Sequence, residues 1–268
     1  MAKLRILLRA LENTLFIGKE LMHLDSVDST NNYVKNLLTA EKRPNEGLLV
    51  FADDQFAGKG QLGNSWISKP GENIIASVLL YPVFLEPHQI YFLNKAVALA
   101  VQETITEIIM EKNALIGTVK IKWPNDIFIG EKKVAGILIE NSLKTSRIEN
   151  CVVGIGLNVN QIFAHQSTLN AVSIKEIIGE DVDLNKVLNI LCTRLEKYYL
   201  MLRAFNFQQI DKQYHSCLFG VGEVRNFIVN DAPIKGIIKG VGENGLIHVE
   251  IDSINKEFDL KEIEFIYN

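Results

Sequence analysis

The chain has 268 residues, 47% of them hydrophobic and 22% charged, with a formal net charge of −4. That length suits one large domain, or one with a small appendage, and is ample to bury a core. Mild acidity without a Lys/Arg-rich block argues against an electrostatic nucleic-acid surface, and the lack of about 18 consecutive apolar residues argues against a membrane-spanning helix.

Three widely spaced cysteines, Cys151, Cys192 and Cys217, have no CxxC spacing and read as free buried thiols in a reducing cytoplasm. Met1 to Arg9 is basic and apolar like a leader peptide. Arg5, Arg9 and Glu12 break its apolar run, however, and no small-residue cleavage site follows, so secretion is not expected.

Phe16 to Leu24 predicts a strand. Asp28 or Ser29 then supplies an N-cap for a helix carrying Tyr33, Val34, Leu37 and Leu38. Gly47 to Ala52 predicts a short buried strand, followed by a polar, glycine-spaced loop from Asp53 to Ser68. Asn73 to Tyr81, rich in Ile and Val, predicts another strand. Pro87 suits the first turn of a long helix to Lys112, with Leu93, Val97, Ala100, Val101 and Ile105 on its apolar face. Strands follow at Val119 to Trp123, Ile127 to Ile129, Val134 to Glu140 and Asn150 to Val159. Helices are expected at Asn185 to Arg203 and about Phe207 to Ser216. Past Gly220 the texture changes to short β-prone runs punctuated by glycine. The expected class is α+β, with residues 1–218 as one domain and 219–268 as a small β-barrel.

Three constellations could carry chemistry. The first is the loop Gly58 to Trp66. Glycines at 58, 60 and 63 would let a ligand approach backbone N–H groups that can hold phosphate oxygens. That spacing alone fits a solvated surface turn equally well. Trp66 favours a ligand, since a large aromatic closing a polar loop is costly unless it covers something, and an adenine face is a natural target.

The second constellation is Lys122 to Asp126, where a strand end delivers a cation, an amide and a carboxylate to one edge of a sheet. Turn chemistry alone accounts for Pro124, Asn125 and Asp126. Lys122 is harder to dismiss, because with Lys120 it alternates with apolar positions. Lys133, at the start of the next strand, would ordinarily be solvated, but Gly136 beside it permits close approach of a ligand. The third constellation is Gly154 to Asn160, where two glycines inside a strand mean either a closely packed ligand or a bulge.

Together these segments resemble, in order and spacing, the biotin protein ligase family. The glycine-rich loop ending in tryptophan corresponds to Gly58 to Trp66, and the family's Lys-Trp-Pro-Asn-Asp motif stands intact at Lys122 to Asp126. Its Lys-x-x-Gly strand is Lys133 to Gly136, and its Gly-x-Gly-x-Asn strand is Gly154 to Asn158. Its Ser-Thr-Asn helix start is Ser29, Thr30 and Asn31, with Gln55 just before the loop. The likeness runs from Phe16 onward.

The resemblance implies a class II synthetase-like mixed sheet packed with helices, plus a C-terminal SH3-like barrel. It implies an ATP-dependent reaction through biotinyl-5′-adenylate with Mg²⁺ assisting, and transfer of biotin to a lysine of a biotin carboxyl carrier protein. Implied catalytic residues are Lys133, Lys122 and Asp126, the last also holding the metal. Ser29, Thr30, Asn31, Gln55, Lys59, Gly60, Gln61, Lys133, Gly136 and Gly154 would enclose biotin. Gly58, Lys59, Gly60, Gly63, Trp66, Lys122, Asn125 and Asn158 would hold ATP or the adenylate.

Two departures from the family stand out. Arginines common in that loop are replaced here by Lys59, Gln61 and Asn64. Only 28 residues precede Ser29, too few for a winged helix-turn-helix, so DNA binding is not expected. A homodimer through an exposed sheet edge is compatible with the sequence. Alternatives are a lipoate or octanoate ligase of the same fold and a catalytically silent biotin- or carrier-binding module.

Overall fold

The structure is a computed structural model and describes residues 4–5, 11, 13–40, 43–112, 118–163 and 170–266. An eight-stranded mixed sheet forms its centre, in the order β1-β2-β3-β4-β8-β7-β6-β5. These strands are β1 (Leu4–Arg5), β2 (Leu21–Val27), β3 (Leu49–Gln55), β4 (Ile74–Leu80), β5 (Val119–Lys122), β6 (Asp126–Ile129), β7 (Lys132–Lys144) and β8 (Arg147–Leu157). Only β2 and β3 pair in parallel, and α1 (Thr30–Thr39) makes the crossover between them. Most of the N-terminal segment read as a broken leader lies outside the described residues.

Helices cover both faces. On one side α1 lays Val34 on Leu24, Val50, Leu79 and Val152. On the other lies the main core, under α2 (Tyr91–Glu111), α4 (Leu184–Arg203) and α5 (Phe207–Cys217). β4 is therefore buried at every position, which is why Ile74 to Leu80 reads as a nearly continuous apolar run without strand alternation. The single apolar stripe expected for α2 is an understatement. This helix lies between the sheet and the α4–α5 pair, so Ala98, Leu99 and even Lys95 are buried with the predicted face. Lys95 is held there by Asp211 and the Val241 carbonyl.

Several boundaries differ from expectation. Phe16 to Glu20 is a turn rather than strand. Gly18 has a φ of +73°, and Glu196 of α4 accepts the backbone N–H groups of Leu15, Phe16 and Ile17, so no ladder is needed there. Pro87 opens a separate 3₁₀ turn, Pro87–Gln89, before α2 begins. The β7–β8 hairpin extends beyond the predicted strands, closed by Thr145 and Ser146 at positive φ, residues that carry no glycine signal. A short helix α3 (Ile174–Ile178), set by a Ser173–Glu176 capping box, was not expected.

The C-terminal strands β9 (Val224–Val229), β10 (Ala232–Val241), β11 (Ile247–Ile251), β12 (Ile254–Phe258) and β13 (Glu264–Phe265) form a second, antiparallel sheet, ordered β12-β11-β10-β9-β13. It is tied to the larger part at specific points. Trp123 Nε1 donates to the Gly245 carbonyl at 2.8 Å, and the Val241 N–H donates to His215 Nε2 at 3.0 Å. Cys151 and Cys192 are buried as expected while Cys217 is half-buried, and burial pushes the Cys151 thiol up to about 12. No described helix is long and apolar enough to cross a membrane.

Candidate active site

The start of α1 and strands β3, β4, β7 and β8 converge on a cavity of about 200 Å³. Its closed end is polar yet buried. Ser29, Thr30 and Asn31 are 2–3% exposed, Gln55 is 9% and Ser77 is 0%. Such groups are stable inside only if hydrogen-bonded, and Thr30, Asn31, Gln55 and Ser77 are. Gln55 Oε1 accepts the Thr30 N–H at 2.8 Å, so β3 caps α1 where the Ser29 side chain makes no cap bond. Asn31 Nδ2 donates to the Leu138 carbonyl at 3.3 Å and to Glu140 Oε2 at 2.9 Å. Ser77 Oγ stands 2.6 Å from Asn31 Oδ1 and 2.7 Å from Thr30 Oγ1.

Glycine makes the room. Gly154 pairs with Ser77 on β4 and with Leu138 on β7, and a Cβ there would sit 2.5 Å from Asn31 Oδ1. Burial alone would raise the Glu140 carboxyl. Hydrogen bonds from Lys35 (2.7 Å) and Asn31 outweigh it and hold the group below the usual carboxylate range.

The middle of the cavity is covered by Trp66. Its indole lies on a two-glycine platform made by Gly136 and Gly156, cross-strand partners on β7 and β8, and a Cβ on Gly156 would overlap the ring. The Lys133 ammonium stands 5.6 Å from the ring centroid. The loop behind Trp66 is a tight hairpin. Trp66 N–H donates to the Gly58 carbonyl, the Gly60 N–H donates to the Asn64 carbonyl, and the tip Gln61–Gly63 forms a 3₁₀ turn with Leu62 at φ +56°. Lys59 reaches back to Asn32 Oδ1 at 2.8 Å.

At the mouth, Lys133 and Asp126 form an ion pair at 2.6 Å. The Asp126 turn is clamped to β7 by Asn125, whose Nδ2 donates to the Ile137 carbonyl while its own carbonyl accepts the Ile137 N–H. Lys122 stands behind this pair, its ammonium 4.7 Å from the Phe265 ring centroid and 5.5 Å from that of Phe128. Burial lowers its pKa, Asp126 opposes that effect and Lys133 adds to it.

A family model described as the biotin/lipoate A/B protein ligase family matches residues 24–158. The chain belongs to that family. The bifunctional ligase/repressor BirA of Bacillus spizizenii is 31% identical over 251 residues, covering 92% of this chain and 74% of the relative. The biotin--[acetyl-CoA-carboxylase] ligase of Mycobacterium tuberculosis is 27% identical over 237 residues, covering 87% and 85%. Among solved structures, biotin protein ligase from Aquifex aeolicus in complex with biotin and ATP matches with a TM-score of 0.76 at 29% identity, covering 93% of this chain and 100% of that one.

Within this biotin/lipoate ligase fold, most of the residues singled out in the sequence meet around one cavity. Its lining includes Ser29, Thr30, Asn31, Gln55, Lys59, Gly60, Gln61, Trp66, Asn125, Asp126, Lys133, Gly136 and Gly154. Gly58, Gly63, Lys122 and Asn158 are not part of that lining. Gly58 instead lets the loop close, since a Cβ there would overlap the Trp66 carbonyl. Asn158 is 3% exposed and donates to the Val172 carbonyl at 3.2 Å, while its Oδ1 has no donor among the described residues.

Sequence reasoning missed Ser77, Glu140, Phe265 and Leu260. Ser77 is a lone hydroxyl in an apolar run, which could have marked it. Glu140 merely ends such a run, and Phe265 and Leu260 come from the distant C-terminal part.

Proposed function

We propose that the protein is an ATP-dependent biotin protein ligase. The observation that carries this reading is the union, in one cavity, of a buried polar pocket with the Lys133–Asp126 pair at its mouth. In the first step an oxygen of biotin's carboxylate attacks the α-phosphorus of ATP. The P–O bond to the β-phosphate breaks, and pyrophosphate leaves with the electron pair. Two anions must meet, so fixed positive charge is needed where charge builds. Lys133 supplies it closest to the closed pocket and Lys122 supplies it from behind.

In the second step the neutral amine of a carrier lysine attacks the acyl carbon, forming an amide and releasing AMP. Relatives named for acetyl-CoA carboxylase support a carboxylase biotin carrier domain as acceptor. Thr30, Gln55 and Ser29 would receive the biotin head. Trp66, held against Lys133 and the glycine platform, would lie over the adenylate and offer its ring to the adenine face. The buried, unpaired Asn158 Oδ1 is suited to accept from adenine's exocyclic amine. Folding of the Gly58–Trp66 loop over the adenylate would keep water from the anhydride.

No group of three His, Cys, Asp or Glu able to cage a metal occurs among the described residues. This fits magnesium carried largely by ATP phosphates, which needs only one or two protein carboxylates, and Asp126 would provide one. When bound, the ion would screen phosphate charge. The same reading divides the chain into a biotin- and ATP-binding part, residues 1–218, and a small β part, 219–268. That division is supported by the two sheets having no strand in common.

A lipoate or octanoate ligase is disfavoured by the closed end. An apolar acyl tail would offer no partner to the hydrogen-bonding capacity that Thr30 and Gln55 retain beyond their mutual contacts in a buried site. Mass spectrometry of a biotin carrier domain incubated with enzyme, ATP and biotin tests the proposal. A mass gain of one biotinyl group is expected; lipoate incorporation without biotin incorporation would overturn it.

A further inference from the structure

Asn31 has no proton to spare for a ligand, because its amide protons go to Leu138 and Glu140, while its oxygen already accepts from Ser77. The proton arrangement beyond it follows from chemistry. Asn31 Oδ1 can only accept, so the single Ser77 hydroxyl proton goes there, at 2.6 Å. The 2.7 Å approach of Ser77 Oγ to Thr30 Oγ1 needs a proton between the oxygens, and the Thr30 hydroxyl supplies it in preference to its longer 3.3 Å contact with Gln55 Oε1. Thr30 is thereby left with acceptor capacity at the closed end of the cavity.

The start of this chain is fixed by charge. An ionised Glu140 is acceptor-only, so Asn31 must turn its amide nitrogen toward it and its oxygen toward Ser77. Lys35, bonded to the other Glu140 oxygen at 2.7 Å, holds that carboxylate ionised. The Gly154 backbone leaves Asn31 Oδ1 no slack, since even a Cβ would meet it at 2.5 Å.

We propose that Glu140 is a positioning residue that sets the hydrogen-bond polarity of the pocket through Asn31, Ser77 and Thr30, so that its closed end selects a ligand head bearing N–H donors. This rests on the biotin ligase reading, in which the cyclic urea of biotin presents such N–H groups. Glu140→Gln keeps the shape but offers Asn31 an amide that can donate, which leaves the 3.3 Å bond to the Leu138 carbonyl to oppose alone a flip that would reverse every proton along the chain. Ser77→Ala cuts the same chain without touching the charge.

The test measures pyrophosphate release with biotin and with octanoate, a carboxylate without N–H groups, for wild type, Glu140→Gln and Ser77→Ala. Biotin binding without ATP is measured by calorimetry, and melting temperature checks the fold. Both variants should raise the biotin KM and Kd about tenfold or more while kcat changes about twofold or less, and octanoate parameters should stay near wild type. Biotin KM near wild type in either folded variant, or equal losses for biotin and octanoate, would overturn the proposal. If one variant fails to fold, the other decides. No pyrophosphate release by wild type with biotin would instead overturn the ligase reading, which separates the two failures.

Discussion

At the closed end of the cavity, Asn31 bonds protein partners through both its amide nitrogen and its oxygen, and Glu140 has both Lys35 and Asn31. At the mouth, Lys133 and Asp126 hold each other, the Trp66 indole Nε1–H over the cavity has no acceptor among the described residues, and Asn158 Oδ1, behind the lining, has no donor among them. The first region is finished before any ligand arrives, and rigid polarity there suits recognition. The second holds charges and orphaned atoms whose partners must be exchanged, which suits chemistry on anions. A pocket of one kind alone would bind without reacting, or react without choosing.

The sharpest way to break this comparison is to remove the charge at the mouth. Lys133→Ala should lower the rate of pyrophosphate release by about 10²–10³-fold, the size seen when one fixed stabiliser of developing charge is lost. Its ion pair with Asp126 opens onto the cavity mouth, with side chains 32% and 17% exposed, so the melting temperature should fall far less than the rate. Near-wild-type pyrophosphate release would remove Lys133 from the mechanism.

Two alanine substitutions on β8 should separate the regions next. In Gly154→Ala the new methyl meets Asn31, which is fixed from several sides. Crowding a packed site costs about 1–3 kcal/mol, so both melting temperature and biotin affinity should fall, the affinity by about 10- to 100-fold. In Gly156→Ala the methyl meets the Trp66 ring, which is carried on a surface loop and can lift. That variant should keep most of its stability, lose adenylate retention, and show faster proteolysis within residues 58–66. Equal destabilisation by both would show that the loop is as fixed as the pocket.

The comparison also explains what could be read from the chain. Glycines 136 and 154, Lys133 and the polar helix start each had an ordinary structural reading as well, but their joint order along the chain pointed to one site, and all line the cavity. The pairing of glycines across strands was not legible, because Gly136 facing Gly156 depends on the register of β7 on β8, which no local pattern encodes. α2 was legible as a helix but not as a central one, since burial on all sides depends on where α4 and α5 pack. The Phe16 strand was misread because a run of apolar residues does not reveal that Glu196, some 180 positions away, satisfies its backbone.

A smaller effect should come from the C-terminal sheet. Phe265 places its ring 4.7 Å from the Lys122 ammonium, and loss of a cation–π contact costs about 0.5–2 kcal/mol. Phe265→Leu should therefore raise the KM for ATP by about three- to tenfold with little change in the KM for biotin, since only the mouth is touched. A matching rise in the biotin KM would mean that the C-terminal sheet supports both regions alike.

The smallest effect should be acid sensitivity at the closed end. Glu140 is held below its ordinary value in the folded chain, so the unfolded chain binds its proton first as pH falls. Its contribution is complete above the ordinary glutamate value of about 4.3 and disappears as pH falls through the lower folded value. Because its side chain is 29% exposed, that contribution is under about 1 kcal/mol. Melting temperatures measured across the acidic range should thus fall slightly more steeply for wild type than for Glu140→Gln. The same variant should lose biotin affinity at neutral pH, where Glu140 is ionised throughout. A difference in acid slope without that loss would leave Glu140 as a stabilising ion pair and no more, and would take the recognition role away from the closed end's proton order.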